Sequence, residues 1–313
     1  MSNNRQRPID ILCVGELLID FISTDYAESF EDVKSYERHF GGSPANLCMN
    51  MARLGNKARL VASVGEDGLG TFLQKKVESL GVDCSYLHRV SQPTTLILVT
   101  KTRQVANFEA YRGADTQIMA GQMPVAVLKK SALFHTTCFA LSKNPAKKNI
   151  FRAARKAMNL GCQLSIDANY AQKIWPDQQE AQQLVAEYCR LGAIVKVSEV
   201  DWERLYNSPM RDAEAAAVHF LRTGASAVCV TMGGEGAFAA SALEKHFVPS
   251  RPVEVKDTTG AGDAFWSGFL TAWLDGHSVL NCAKAGRRMA ELKIGVMGAL
   301  PDRVDKALIY SDF

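Results

Sequence analysis

The most pointed chemistry in the chain lies in one stretch, Asp257-Thr258-Thr259-Gly260-Ala261-Gly262-Asp263. Gly260, Ala261 and Gly262 are small enough for a ligand to approach the backbone closely. The run behind them, AFWSGFLTAWLDG, is apolar almost all round, and Phe265, Phe269 and Trp273 recur at i, i+4 and i+8, so it reads as a buried helix. The first N–H groups of a helix have no partner within it, and the helix dipole adds positive potential there. The Gly-Ala-Gly stretch is therefore a candidate anion site. Asp263 falls in the first turn beside it. A carboxylate so placed can take the proton of a hydroxyl that attacks the bound anion. It can equally serve only to complement the dipole, and the residues alone leave both roles open.

Other glycine patterns are weaker. No Gly-Lys pair occurs, which removes the P-loop G-x-x-x-x-G-K-[ST]. Gly234-Glu-Gly236-Ala-Phe-Ala239 fits a loose dinucleotide fingerprint, but the following AFAASALEKHF alternates like a strand instead of opening a helix. It reads as a glycine-rich hairpin turn, which can still touch a nucleotide. His39, His88, His135, His219, His246 and His277 are scattered and show no metal-ligand or catalytic spacing. The eight cysteines lie far apart, mostly in apolar runs, and are expected as buried free thiols of a reducing compartment.

These residues need a scaffold, and its rhythm is visible. Apolar, β-branched runs at Ile9–Val14, Arg59–Val64, Leu133–Thr136, Gln163–Asp167, Ile194–Val197 and Ala227–Thr231 look like strands buried on both faces. Between them lie helix candidates at Pro44–Leu54, Leu69–Leu80, Pro145–Leu160, Gln178–Leu191, Asp212–Thr223 and Ala261–Asp275, several followed by a terminating glycine. The alternation predicts an α/β fold with a mostly parallel sheet covered on both faces. Residues 16–41 and 83–112 break the rhythm with strand-type stretches such as LLIDFIS, TTLILVT and NFEAYR. Loops of about 25 residues without structure are uncommon in compact domains. The two insertions are therefore expected to form a small sheet standing off the main one. The expectation is one domain, 1–313, with a lid at about 16–41 and 83–112.

Composition sets the outer limits. Of 313 residues 47% are hydrophobic and 22% charged, and 36 basic against 33 acidic residues leave a net charge of +3. That excess implies no nucleic-acid groove. No window approaches the roughly 18 apolar residues of a membrane span, and MSNNRQRPID lacks a signal-peptide core. A cytoplasmic protein with neither nucleic-acid nor membrane partner is expected.

Asp257-Thr-Thr-Gly-Ala-Gly-Asp-Ala-Phe265 resembles the second signature of the ribokinase-like (phosphofructokinase-B-type) sugar kinases. Gly41-Gly42-Ser43-Pro44-Ala45-Asn46 is similar to the family's G-G-x-x-A-N signature. Gly15-Glu-Leu-Leu-Ile-Asp20 resembles its opening strand and sugar-binding Asp, and Thr231-Met-Gly233-Gly-Glu-Gly236 its T-x-G-x-x-G nucleotide loop. The matches run in family order from residue 10 to about 301. The resemblance implies the three-layer ribokinase-like fold and ATP-dependent transfer of the γ-phosphoryl group to a sugar, with Mg2+ as the metal. It implies Asp263 as catalytic base and the N–H groups of Gly260, Ala261 and Gly262 as anion hole. It further implies Asp20, Gly42 and Asn46 on the sugar, Thr231, Gly233 and Gly236 on the nucleotide, and a homodimer through the lid. Ser43–Asn46 and Phe108–Asp115 are similar to the fructokinase branch, in which a lid arginine, here Arg112, reaches the ligand. Fructose is the expected acceptor; a 2-keto-3-deoxygluconate-type acid, ribose or a nucleoside is the alternative, and a non-catalytic sugar- or nucleotide-binding relative is a further one.

Several positions depart from the family pattern. In Asp167-Ala-Asn169-Tyr-Ala171 an alanine stands where the family has Arg, which turns attention to Lys173 for a phosphate contact. The family's N-x-x-E appears as Ser198-Glu-Val-Asp201, keeping Ser198 as a nucleotide contact and Asp201 as an outer-shell magnesium carboxylate at shorter reach. Gly295-Val-Met-Gly298 replaces a common G-A-x-P. With Asp257 and Thr259 that region holds a monovalent cation, K+, in many members, and the departure puts potassium activation in question here.

Overall fold

The computed structural model describes residues 7–102 and 107–313. The chain starts with β1 (Ile9–Val14), β2 (Leu18–Ser23), β3 (Tyr36–Gly41), α1 (Ser43–Arg53), β4 (Ala58–Gly65), α2 (Gly68–Ser79), β5 (Asp83–Val90), β6 (Leu96–Thr100) and β7 (Asn107–Tyr111). It continues with α3 (Val125–Lys130), β8 (Ser131–Thr137), α4 (Ala146–Asn159), β9 (Gln163–Asp167), α5 (Gln178–Arg190), β10 (Ile194–Ser198), α6 (Glu199–Tyr206) and α7 (Ala213–Thr223). It closes with β11 (Ala227–Thr231), β12 (Gly236–Ser241), β13 (Lys245–Pro249), α8 (Ala261–Leu274) and α9 (Val279–Ile294).

Nine strands form the large sheet in the order β13-β12-β11-β10-β9-β8-β1-β4-β5. Pairing is parallel from β11 through β5, and the two hairpin strands β12 and β13 add antiparallel at one edge. Successive strand residues point to opposite faces, and β1 divides accordingly. Ile11 and Cys13 join the core shared with α1, α8 and α9, whereas Leu12 and Val14 join the core shared with α4, α5 and α7; Ile9, at the strand's start, departs from the alternation and joins the second core. Helices thus cover both faces, as the continuous apolar strands required.

The second helix pair explains why the candidate loop sits on firm ground. Helix α8 is buried on nearly every side, with Trp266 and Phe269 fully enclosed and stacked at 4.7 Å between ring centroids. Burying such a side chain is worth about 1.5–3 kcal/mol. Helix α9 approaches closely because Gly268 faces it: a Cβ there would lie 2.5 Å from the Ala285 carbonyl oxygen.

The insertions pair as β3-β2-β6-β7 in a separate four-stranded sheet. One boundary expected from the sequence is corrected. Asp83–Val90 belongs to the large sheet, as its edge strand beside β4, and not to the small one. Only Leu87 of this strand is buried, while Ser85, His88 and Arg89 are exposed, and an ion pair between Arg59 and Asp83 pins its start. Residues 103–106 of the expected lid lie outside the described residues. Among the described residues, no helix is long and apolar enough to cross a membrane.

Candidate active site

The small sheet, α1 and α8 bring the polar residues together. Antiparallel pairing of β2 with β3 sets Asp20 opposite His39 and Leu18 opposite Gly41. The Asp20 carboxylate occupies the space beside Gly41, so any Cβ at that position would collide with it. Gly42 has φ +103 and serves as N-cap of α1, and a Cβ there would lie 2.3 Å from the Glu16 carbonyl oxygen. The glycine pair thus turns the chain from strand into helix while leaving Asp20 in place.

From the first turn of α1, Ser43 Oγ donates to one oxygen of Asp263 at 2.7 Å and Asn46 Nδ2 to the other at 2.9 Å. Burial pushes the Asp263 carboxyl up to about 6, against the pull of those two hydrogen bonds. Burial and then the nearby Asp263 charge push Asp20 up to about 7. Two carboxylates raised together, from elements more than 200 residues apart in sequence (Ser43 and Asp263 are 220 apart), make this a candidate site for proton transfer. Asn46 is brought to the site, where one N–H of its amide is committed to Asp263, leaving its second N–H and its carbonyl oxygen for a ligand.

The anion site forms at the start of α8. Gly260 is its N-cap at φ +72, with no side chain to satisfy the helix's first N–H groups. Ala261 is an exception to the expected set, because its N–H bonds to the Thr258 carbonyl at 3.1 Å. The free donors are therefore the N–H groups of Gly260, Gly262 and Asp263. Sequence reasoning missed the cation beneath them. Lys196, from β10, is 5% exposed, pairs with Asp167 at 2.8 Å, and its Nζ would lie 3.6 Å from a Cβ on Gly262. Burial works against its charge, yet Asp167, Asp201 and Asp263 hold its pKa above that of an ordinary lysine. A lysine inside the apolar run IVKVS was the available signal, since a charge in a buried strand needs a partner.

Several expected contacts turn out to be committed elsewhere. The Arg112 side chain is 2% exposed; Nε donates to Asp115 at 2.9 Å, the other nitrogens bond Asp115 and Ser142, and the guanidinium lies 4.3 Å over the Phe139 ring. It forms a buried ion pair beneath the small sheet, not an arm free to meet a charged ligand. Ser198 caps α6: its Oγ donates to Asp201 at 2.5 Å and accepts the Asp201 N–H at 3.0 Å. That reciprocal capping box holds Asp201, whose carboxyl burial and the Asp167 charge push up to about 6. Lys173 binds Asn107, Phe108 and Glu109 of β7 at the surface and has no part in an anion site. Thr231, Gly233 and Gly236 lie in the turn between β11 and β12, where Met232 N–H meets the Gly236 carbonyl at 2.9 Å. Asp257 and Thr259 are adjacent to the anion site, with the Thr259 N–H donating to Asp257 at 2.9 Å, and Asp257 pairs with Lys293 at 3.1 Å.

Comparison with known proteins accords with this geometry. The model of the pfkB family carbohydrate kinases matches residues 8–306. The ATP-dependent 6-phosphofructokinase of Thermoanaerobacterium thermosaccharolyticum is 33% identical over 96% of this chain and 93% of its own. The fructokinase of Halothermothrix orenii superposes with a TM-score of 0.78 at 29% identity, covering 94% of this chain and 100% of that one. An uncharacterized sugar kinase of Pyrococcus horikoshii, solved in complex with ATP, gives a TM-score of 0.82 at 25% identity, over 95% of this chain and 96% of that one. The family match and these likenesses run along nearly the whole length, and the chain belongs to the pfkB family of carbohydrate kinases, phosphotransferases that act on sugars.

Proposed function

We propose that this kinase transfers the γ-phosphoryl group of ATP to a primary hydroxyl of fructose. The observation that carries the reading is Asp263, a buried carboxylate steered by Ser43 and Asn46 and set beside the unpartnered N–H groups at the start of α8. In this reading Asp263 takes the proton of the sugar hydroxyl as it attacks. The N–H groups of Gly260 and Gly262, with Lys196 beneath them, neutralise the charge that gathers on the transferring group. Asp20, Gly42 and the Asn46 carbonyl oxygen hold the other sugar hydroxyls, and the small sheet closes over them to exclude water. The turn holding Thr231, Gly233 and Gly236 receives the nucleotide.

Magnesium fits the residues present. The Asp167 Oδ1 atom is buried without a hydrogen-bond partner, and Asp201 lies close enough for the two carboxylates to repel. Magnesium takes one or two carboxylates together with waters and substrate phosphates, so Asp167 and Asp201 would hold it through its waters. There it would offset the charge of the phosphates.

The buried cations bear on substrate choice. Arg112 is spent on Asp115, and Lys196 is paired with Asp167, which favours a neutral sugar over a sugar acid. The likeness to a 6-phosphofructokinase supports a second reading, with fructose 6-phosphate as acceptor. Release of ADP measured with fructose, fructose 6-phosphate, ribose, 2-keto-3-deoxygluconate and inosine decides among them. Highest kcat/KM with fructose is expected; preference for either anionic sugar overturns the fructose assignment. The proposal also places the enzyme in the cytoplasm as a homodimer joined through the small sheet, which light scattering tests by counting protomers.

A further inference from the structure

The resemblance to the ribokinase-like kinases implies a monovalent cation near Asp257 and Thr259, in the loop that leads into α8, but here that loop already has a cation of its own. Lys293 lies in the last turn of α9, its side chain 9% exposed. Its Nζ donates to Asp257 Oδ2 at 3.1 Å and reaches the Asp257 main-chain oxygen at 3.4 Å. The same Oδ2 accepts the Gly298 N–H at 3.1 Å, and Oδ1 accepts the Thr259 N–H at 2.9 Å. Both oxygens of the carboxylate are thus engaged, and a single positive charge already sits between a carboxylate and a carbonyl of one residue. An ammonium and a potassium ion carry the same charge and seek the same oxygens. A second cation among these atoms would meet like-charge repulsion at contact distance. Potassium does not fit the residues as arranged.

We propose that the Lys293 ammonium is a built-in replacement for the exchangeable monovalent cation, making this kinase independent of potassium. Lys293 is a positioning residue: it touches no reacting atom. It ties the end of α9 to Asp257, and through Thr259 that contact sets the backbone entering Gly260 and the free N–H groups of α8. The Asp257 carboxyl, although partly buried, is held below its usual range by Thr259 and Lys293, so the pair stays charged at neutral pH. A lysine that merely complemented the α9 dipole would also lie in the last turn. Removing such a lysine would not make the protein respond to which cation is dissolved around it.

The test uses the full chain, Lys293→Ala, and Lys293→Gln should the alanine variant not fold. Phosphoryl transfer and Tm are measured at one ionic strength in potassium, ammonium, sodium and tetramethylammonium chloride. Wild type is expected to show the same rate and Tm in all of them. The variant is expected to lose about tenfold or more in kcat in sodium or tetramethylammonium, within the range of ordinary coupling energies. It should recover selectively in potassium or ammonium, with a matching rise in Tm. A wild-type rate that climbs with potassium but not sodium overturns the proposal. So does a variant whose rate and Tm are the same in every salt, whether fast or slow. The inference rests on the phosphotransferase assignment and not on the choice of sugar. Because the Tm arm is read without substrate, failure of the fructose assignment leaves it intact.

Discussion

Replacing Ser43 by alanine removes one of the two hydrogen bonds that keep Asp263 ionised while leaving its carboxylate in place. With both bonds present Asp263 titrates near about 6. A hydrogen bond to a charged group is worth roughly 1.5–3 kcal/mol, and the low end, appropriate because Asn46 still donates, equals about one pKa unit. Asp263 should then titrate near ~7, so the active base is about fivefold scarcer at pH 6 and undiminished at pH 9. The assay is the pH profile of kcat/KM for the sugar, which reports groups of the free enzyme. Asp20, near about 7, contributes a second step, so the acid limb belongs to the pair. Ser43→Ala should move the lower step upward and merge the two. A variant profile that overlays wild type, or lies below it by one factor at every pH, would refute the account of how Asp263 is tuned.

Two further outcomes follow from buried charges. Burial pushes Glu16 up to about 8 from 4.5, against hydrogen bonds that include the Thr137 hydroxyl. The folded form therefore holds a proton that the unfolded form gives up, and stability falls as pH rises from about 4.5 through about 8. Glu16→Gln, neutral throughout, should raise Tm at pH 9 and change it little at pH 4, the difference being on the order of 5 kcal/mol at most; thermal melts across pH decide this. Arg112→Ala leaves the Asp115 carboxylate buried without its cation, and a loss of about 3–5 kcal/mol is expected by denaturant titration. Arg112→Ala with unchanged stability and a selective rise in KM for the sugar would return Arg112 to the ligand.

What could be read from the sequence was mostly local. Strand–helix alternation and glycine stops set the α/β layers, and Gly260–Asp263 announced the uncapped start of a buried helix because every residue of that motif is contiguous. What escaped depends on distant partners. Lys196 meets Asp167 from a neighbouring strand, and Lys293 meets Asp257 across 36 residues; the lysine inside IVKVS signals that a partner is needed, but no local pattern names the partner of either lysine. Arg112 directly follows a strand that reads as lid, and only the fold shows Asp115 and Phe139 closing around it. Ser198 and Asp201 teach the opposite lesson. Their spacing is a capping signature in its own right, and as a local rule it competes with the nucleotide role implied by resemblance. Asp83–Val90 was assigned to the wrong sheet because its residues mark a strand but not its partner, and only the pairing with β4 places it in the large sheet.

The central claim is that Asp263 takes the sugar's proton at the helix-end anion site, and Asp263→Asn tests it most directly. The amide keeps the shape and a contact to Asn46 or Ser43 but cannot accept the proton. Turnover should fall by at least about 10²-fold, the scale of a lost general base, while calorimetry shows sugar and ATP still binding with affinities close to wild type. A variant that turns over at a near-normal rate would contradict the account.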